Sequence, residues 1–381
     1  MSDNEMEPAG QPRPKTAICL TGGGFTGGLY QLGALSALQS VVDAPAFDLI
    51  VGTSSGASVA AALAGGLPVP RMYRALIDPA DNYFPLERAH ILALDAGEWR
   101  RTISSGMSAI RHGLASLMAR SPAPMPADLW EQLDRLFDAL PAGLLSLDRY
   151  ERFLADFFLR RRVPNSFRSI QRELLITATD LDSGEVVLFG GPNHDYVPVS
   201  LACTASMALP LFFSPVRIGD RYYVDGSVAP TTEIDIAAAQ GAELIIVLNP
   251  NAPIDVGALP GGVPTGHGMR QSLRDKGLMW VYNQAMRTSI HARLSEAAAR
   301  VSASGNVHVL LLEPEPEVAA RFVSNVVSLP ARREIMHASH RASRERFRRW
   351  ACEHHAVLQR HGWHLREAEE SVAESGAQAS P

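Results

Sequence analysis

The chain has 381 residues, 46% hydrophobic and 20% charged, which suits one large globular domain with an appendage, or two domains. Its formal net charge of −5 argues against a dominant nucleic-acid role, which calls for a basic stripe. Three widely separated cysteines, Cys19, Cys203 and Cys352, show no metal-ligand spacing and suit buried apolar positions in a reducing compartment.

The opening stretch, "MSDNEMEPAGQPRPK", is polar and acidic, without the apolar core of a secretory signal, and residues 1–14 read as a disordered lead. No uninterrupted apolar run reaches the ~18 residues of a spanning helix. The expectation is a cytoplasmic protein, with peripheral membrane contact left open. Residues 16–66 read as β-α-β-α, the first helix carrying Leu29, Leu32, Leu35, Leu38 and Val42 at helical spacing. The second strand, Phe47 to Val51, runs into "GTSSGASVAAALAGG", a sharp turn and a small-residue helix. Two strands each feeding a helix predict adjacent parallel strands with their carboxyl ends on the same side, where open α/β sheets place their sites.

Residues 67–165 read as mostly helical with proline breaks. "ELLITATDLDSGEVVLFG" is a hairpin, 198–212 a short helix and apolar loop, and "SPVRIGDRYYVDGS" a second hairpin turning at Gly219–Asp220. A helix, a glycine stop and the buried strand of "AELIIVLNP" follow, then a Gly/Pro-rich linker. A long helix over about 273–302, the strand "VHVLLLEP", an arginine-rich helix over about 331–360 and a polar tail complete the chain.

Three short stretches carry chemistry. "ICLTGGGFTGGLY" holds Gly22-x-Gly24-x-x-Gly27, which taken literally is a dinucleotide fingerprint and by itself is weak. "GTSSG" places Ser54 between Gly52 and Gly56 on a strand-to-helix turn. That context exposes the hydroxyl and sets the positive end of a helix behind it. The plain alternative is a helix entry without chemistry. A serine needs a base. The usual triad would bring an Asp and a His. The first histidine is His90, and His337, His340, His354, His355, His361 and His364 crowd the C-terminal helix and tail as solvent-facing residues. His194 is the one outside that tail to follow, with a surface-loop role as its alternative. A carboxylate can serve instead: Asp225, at the end of a hairpin strand and relaxed by Gly226, can take the serine proton directly. From spacing alone, it reads equally as an Asp-Gly turn.

Together "GGGFTGG", "GTSSG" and "DGS" resemble the signatures of the patatin-like phospholipases. The likeness extends to "LLITATDLDSGEVVLFG" and "SLACTASMALPLFFSPVRIGDRYYVDGSV" and covers roughly Lys15 to Pro250. It implies a three-layer α/β/α sandwich with a mainly parallel central sheet over 15–250. Beyond it are a linker at 251–268, a mostly helical C-terminal extension at 269–365 and a disordered tail at 366–381. It implies Ser54 as nucleophile and Asp225 as base, with Gly22, Gly23 and Gly24 as the oxyanion hole and Gly27, Gly52, Gly56 and Gly226 supporting the motifs. No metal or cofactor is implied. The substrate would be a lipid ester, met with transient membrane-surface contact; protein partners stay unknown. The sequence departs from the pattern at Thr26, where similar proteins commonly carry Arg or Lys, and at Ser227, where Gly or Ala is usual.

Candidates for the acyl groove are Met207, Leu209, Leu211, Phe212 and Phe213. Two apolar helical stripes are alternatives for lipid contact or for core. One is Trp99, Ile103, Met107, Ile110, Leu114 and Leu117, flanked by Arg100, Arg101, Arg111 and Arg120. The other is Met279, Tyr282, Met286, Ile290 and Leu294. A dinucleotide site would want an acidic residue ending the second strand, but Asp48 lies near its start. An acyltransferase on the same site and a non-catalytic lipid-binding module remain the rival functions.

Overall fold

The computed structural model describes residues 13–366 except 45, 79, 86, 92, 98, 101, 103–137, 139, 260 and 323–328. Of the first stripe, Ile103, Met107, Ile110, Leu114 and Leu117, with Arg101, Arg111 and Arg120, lie outside the described residues. The main strands are β1 (Thr16–Leu20), β2 (Leu49–Thr53), β3 (Glu173–Asp180), β4 (Val186–Phe189), β5 (Val216–Ile218), β6 (Arg221–Asp225), β7 (Leu244–Leu248) and β8 (His308–Leu312). The main helices are α1 (Gly24–Val41), α2 (Ser55–Ala64), α3 (Val69–Ile77), α4 (Asp148–Arg161), α5 (Val199–Ser206), α6 (Glu233–Ala239), α7 (Leu278–Ser302) and α8 (Leu329–Glu353).

These strands form one sheet in the order β8-β7-β1-β2-β3-β6-β5, with β4 also on β3. The run from β8 to β3 is parallel, and β4, β5 and β6 are antiparallel additions. Strands β1, β2 and β7 are buried along their whole length, as near-continuous apolar sequences must be when helices cover both faces. Alternation along each strand divides the core in two. Ile18, Leu20, Ile50, Leu174 and Ile246 face a layer containing α1, α2, α5 and α8. Ala17, Cys19, Leu49, Val51, Ile245 and Val247 face α6 and α7. The result is the three-layer α/β/α sandwich expected from the sequence.

The segment after residue 269 builds into this sandwich. Strand β8 extends the sheet beside β7, α7 covers one face, and α8 packs along α1 on the other. The second stripe divides accordingly: Ile290 and Leu294 are buried against the sheet, whereas Met279 and Tyr282 are only half-buried. A short ribbon, Val263–Thr265 with Gly268–Arg270, spans the end of the predicted linker and the first residues after it.

The decisive topological feature is the length of β3. Its first residues pair with β2 as far as Thr53 with Thr177, and its last residues pair with β6, Asp225 facing Ala178. Strand β4 pairs with residues 176–179 of β3 and so occupies its other edge. One edge therefore carries the end of β2 and the end of β6 in succession. Two residues 171 positions apart in sequence, Ser54 and Asp225, arrive side by side.

Candidate active site

Ser54 directly follows β2 and caps α2 with φ 55° and ψ −127°, in the positive-φ region that non-glycine residues seldom occupy. Such strain persists only where the surroundings enforce it. The enforcement is visible at Gly56: a Cβ there would stand 2.1 Å from the Leu20 carbonyl oxygen and 2.5 Å from that of Thr21. A similar added atom at Gly52 would strike Ala57 and Ala60 of α2. The helix thus lies so close to the strand ends that the chain must turn sharply at the serine. The Ser54 N–H donates to Ser206 Oγ at 2.7 Å, tying the turn to the end of α5.

Asp225 is 1% exposed. Its Oδ1 accepts from the Ser227 N–H at 2.8 Å, and its own N–H donates to the Ala208 carbonyl at 3.0 Å. Gly226 lies against Thr177, with no room for a side chain. Oδ2 is buried and accepts no hydrogen bond from the described residues. Burial raises the carboxyl pKa from 3.8 to about 6. The Ser54 hydroxyl, the Ser227 N–H and the Ser227 hydroxyl oppose that rise, and the charge of Glu233 adds to it. Ser54 is therefore near enough to act on the carboxyl electrostatically, yet Oδ2 lacks a bond of normal geometry. Ser54 and Asp225 are juxtaposed, without a hydrogen bond of normal geometry to Oδ2.

The glycine loop closes over this pair. A Cβ on Gly22 would lie 3.0 Å from Ser54 Cβ and 2.7 Å from Ser227 Oγ, so only glycine passes there. Gly23 has φ 144° and Gly24 φ 62°, and the space beside Gly24 is open. Among the described residues, no protein acceptor takes the N–H groups of Gly22, Gly23 or Gly24. They stand at the positive end of the 18-residue α1, a ready anion site beside a serine hydroxyl. Gly27 packs beneath the loop against Pro250 and Ser55. Thr26 is buried, and its hydroxyl donates to the Gly23 carbonyl at 3.1 Å, so the residue standing where a basic one is usual braces the loop. A positive charge is still close by: the Arg332 guanidinium of α8 lies 5.0 Å from the Phe25 ring centroid.

Beside Gly24 and Ser55 opens an apolar cavity of about 200 Å³ between α1, α2, α3 and α4. Leu29, Val59, Met72, Leu154 and Phe157 are among its walls. Of the predicted groove residues, Met207 and Phe213 line it. Leu209, Leu211 and Phe212 do not: Leu211 is exposed, and the Phe212 ring sits 6.4 Å from that of Tyr282. Residues 211–213 form a short strand paired with Gly143–Ser146, so Phe212 points to the face opposite Phe213 and away from the cavity.

His194 lies between the rings of Phe189 and Tyr196. His361 is buried with Nδ1 against the Val357 carbonyl, and His354 stacks on Trp350, so these two have structural surroundings. Asp48 pairs with Arg13 at 2.6 Å and accepts from the Thr16 N–H, at the end of β2 opposite the glycine loop. Among the described residues, no group of His, Cys, Asp and Glu could hold a metal ion.

Several site residues escaped the sequence reading. Asn251 Nδ2 donates to the Gly22 carbonyl at 2.9 Å, and the Thr21 hydroxyl donates to Asn249 Oδ1 at 2.8 Å. Gln31 Nε2 donates to the Thr21 carbonyl at 2.6 Å. The available signal was "LNPN": polar residues directly after a fully buried strand, on the same side of the sheet as the glycine loop and the serine turn.

The fold and site define a sandwich α/β protein with a strained serine, a buried carboxylate and a glycine loop together at the carboxyl ends of the central strands. A family model for patatin-like phospholipase matches residues 18–238, more than half of the chain, and the chain belongs to that family of lipid hydrolases. The uncharacterized protein YqhO of Bacillus subtilis (strain 168) is 26% identical over 220 residues, 54% of this chain and 62% of that protein. The chain thus spans less than two thirds of that relative's length. Among solved structures, VipD from Legionella pneumophila aligns over 93% of this chain and 68% of its own at 14% identity, with a TM-score of 0.39. The ExoU–SpcU complex of Pseudomonas aeruginosa aligns over 93% and 53% at 15% identity, with a TM-score of 0.33.

Proposed function

We propose that this protein hydrolyses fatty-acyl esters of lipids through Ser54 and Asp225. One observation supports this most: a buried carboxylate oxygen without a hydrogen-bond partner among the described residues stands beside a strained serine, under N–H groups that no described residue accepts from. In the reaction, the Asp225 carboxylate takes the Ser54 proton as Oγ bonds to the ester carbonyl carbon. The Gly22–Gly24 amides receive the negative oxygen, each such donor contributing roughly 3–4 kcal/mol. The C–O bond to the alcohol breaks, and Asp225 returns the proton to the departing oxygen. Water, deprotonated by Asp225, then releases the acid and restores Ser54. The direct test is hydrolysis of a panel of phospholipids, lysolipids and neutral esters, with Ser54→Ala as control. Release of fatty acid by the native chain alone is expected, and equal release by both would refute the reading.

Two expectations follow at this site. Asp225 must be ionised to accept the proton, and its pKa of about 6 exceeds the ordinary 3.8. Activity therefore rises with pH through about 6 and falls about tenfold per pH unit below it. A kcat/KM profile with its acid limb near 4 would contradict the buried-base account.

The second expectation concerns acyl length. The apolar cavity beside Gly24 and Ser55 is bounded by α1, α2, α3 and α4, so it takes an acyl chain of limited length. Each methylene buried there contributes about 0.8 kcal/mol, or about fourfold in kcat/KM, until the cavity is full. A p-nitrophenyl ester series should climb to medium chains and then flatten. Val59→Phe, which fills the wall nearest Gly28, should shift the break to shorter chains. A series that climbs equally at every added methylene, with no break that Val59→Phe moves, would rule out this cavity as the acyl site.

No helix among the described residues is long and apolar enough to cross a membrane, so a lipid substrate would be met at a surface or in dispersed form.

A further inference from the structure

Helix α7 lies beyond the residues matched by the family model, yet two of its arginines reach the site from behind. Arg293 donates through one guanidinium nitrogen to the Ser227 carbonyl at 2.6 Å and through the other to the Ala229 carbonyl. Those carbonyls belong to the turn Asp225-Gly226-Ser227-Val228-Ala229, whose first residue is the proposed base. Six residues earlier on the same helix, Arg287 is 3% exposed and donates through Nη1 to the carbonyls of Pro250 at 2.9 Å and Ala252 at 3.1 Å. The segment it holds carries the glycine loop. The Pro250 ring occupies the space beneath Gly23 and Gly27, where added Cβ atoms would lie 2.4 and 3.0 Å from its Cγ. Asn251 holds the Gly22 carbonyl.

Arg287 has no carboxylate partner among the described residues, and burial lowers its pKa to about 10, so it stays charged at neutral pH; its Nε donates to Asn283 Oδ1, and its guanidinium lies 5.3 Å from the Phe322 ring centroid. Burying a guanidinium against main-chain carbonyls is costly where an apolar residue would pack as well. What it offers is direction. Its Nη1 group holds two carbonyls at once, and with them the backbone between. Arg293 does the same for the carboxylate turn.

We propose that α7 is a two-point clamp: Arg293 positions Asp225 and Arg287 positions the Gly22–Gly24 loop, making both arginines positioning residues for acyl transfer. The inference rests on the Ser54–Asp225 reading. It adds that a helix outside the matched family region aligns the two halves of the site. Displacing a reacting group by an ångström or so costs about a hundredfold in rate, whereas substrate binding in the apolar cavity is remote from these contacts.

The test compares native protein, Arg293→Ala and Arg293→Lys. It measures the rate of Ser54 labelling by a fluorophosphonate, and kcat and KM for one medium-chain ester, per folded molecule titrated by thermal unfolding. Arg293→Ala is expected to lower labelling and kcat by about 10- to 100-fold with KM nearly unchanged. Free guanidinium ion should restore part of the loss in Arg293→Ala and do nothing for the native chain. Arg293→Lys, which keeps the charge and one donor direction, should fall between. A native protein that labels at Ser54 while folded Arg293→Ala labels equally fast overturns the clamp and leaves the dyad standing. Loss of activity that tracks only loss of folded protein, without guanidinium rescue, also overturns it. A native protein that does not label at Ser54 overturns the dyad, and the clamp with it.

Discussion

Ser54→Ala is expected to reduce ester hydrolysis by about four to six orders of magnitude while leaving the fold in place. The chemical half follows from the mechanism: without Oγ no acyl-enzyme forms, and only the glycine amides and the cavity still act on the ester. The structural half follows from contacts. The Ser54 N–H reaches Ser206 through the main chain, which alanine keeps. The positive φ of 55° is as unfavourable for alanine as for serine. Glycine is different, because it adopts that region freely. Ser54→Gly should therefore be equally inactive and more stable than the native chain by about 1–3 kcal/mol, less about 1 kcal/mol for the added chain entropy. Activity assays and chemical unfolding of the two variants check both halves. An active alanine variant removes the nucleophile, and a glycine variant less stable than alanine removes the strain.

Asp225→Asn carries the second largest effect. Loss of the base should lower kcat/KM by about 10³- to 10⁴-fold. The same change should stabilise the protein at pH 8. The folded-state pKa is raised, so the fold favours the protonated carboxyl. That preference is fully present below the ordinary 3.8 and is lost as pH rises through about 6. Above that window the buried ionised carboxylate costs roughly two pH units at 1.36 kcal/mol each, about 3 kcal/mol. Asparagine is neutral, and its side-chain oxygen can still accept from the Ser227 N–H. The stability gain of Asp225→Asn should thus be largest at pH 8 and shrink toward pH 4, as read by denaturant unfolding at several pH values. A gain independent of pH would contradict the burial account.

Both predictions concern residues that were visible in the sequence, and the reason is local. A glycine run after an apolar strand and a serine between glycines at a strand-to-helix turn record their own backbone requirements, as Gly56 and Gly22 show in space. The layers were legible for a similar reason, since alternation along β1 and β7 prescribes two covered faces. What lies around the dyad was not local. Asn251 reaches Gly22 because β7 pairs beside β1, and no periodicity in either segment announces that neighbour. Arg293 lies outside the apolar stripe of its helix, and its two carbonyl partners are 64 and 66 positions away. The apolar groove was half legible. Met207 and Phe213 line the cavity, but the walls from α3 and α4 come from a stretch whose prolines and helices gave no direction, and the Leu211–Phe213 strand points Phe212 to its other face. Thr26 stood out as a missing charge, while its structural use is a hydroxyl contact to Gly23.

The serine's reactivity is the centre of this account, and a fluorophosphonate reports it directly. The folded native protein should take up one phosphonyl group, mapped by peptide mass spectrometry to the segment containing Ser54. Ser54→Ala should take up none, and Asp225→Asn should react far more slowly. A folded native protein that acquires no adduct, or acquires it at another serine with Ser54 unmodified, would contradict it.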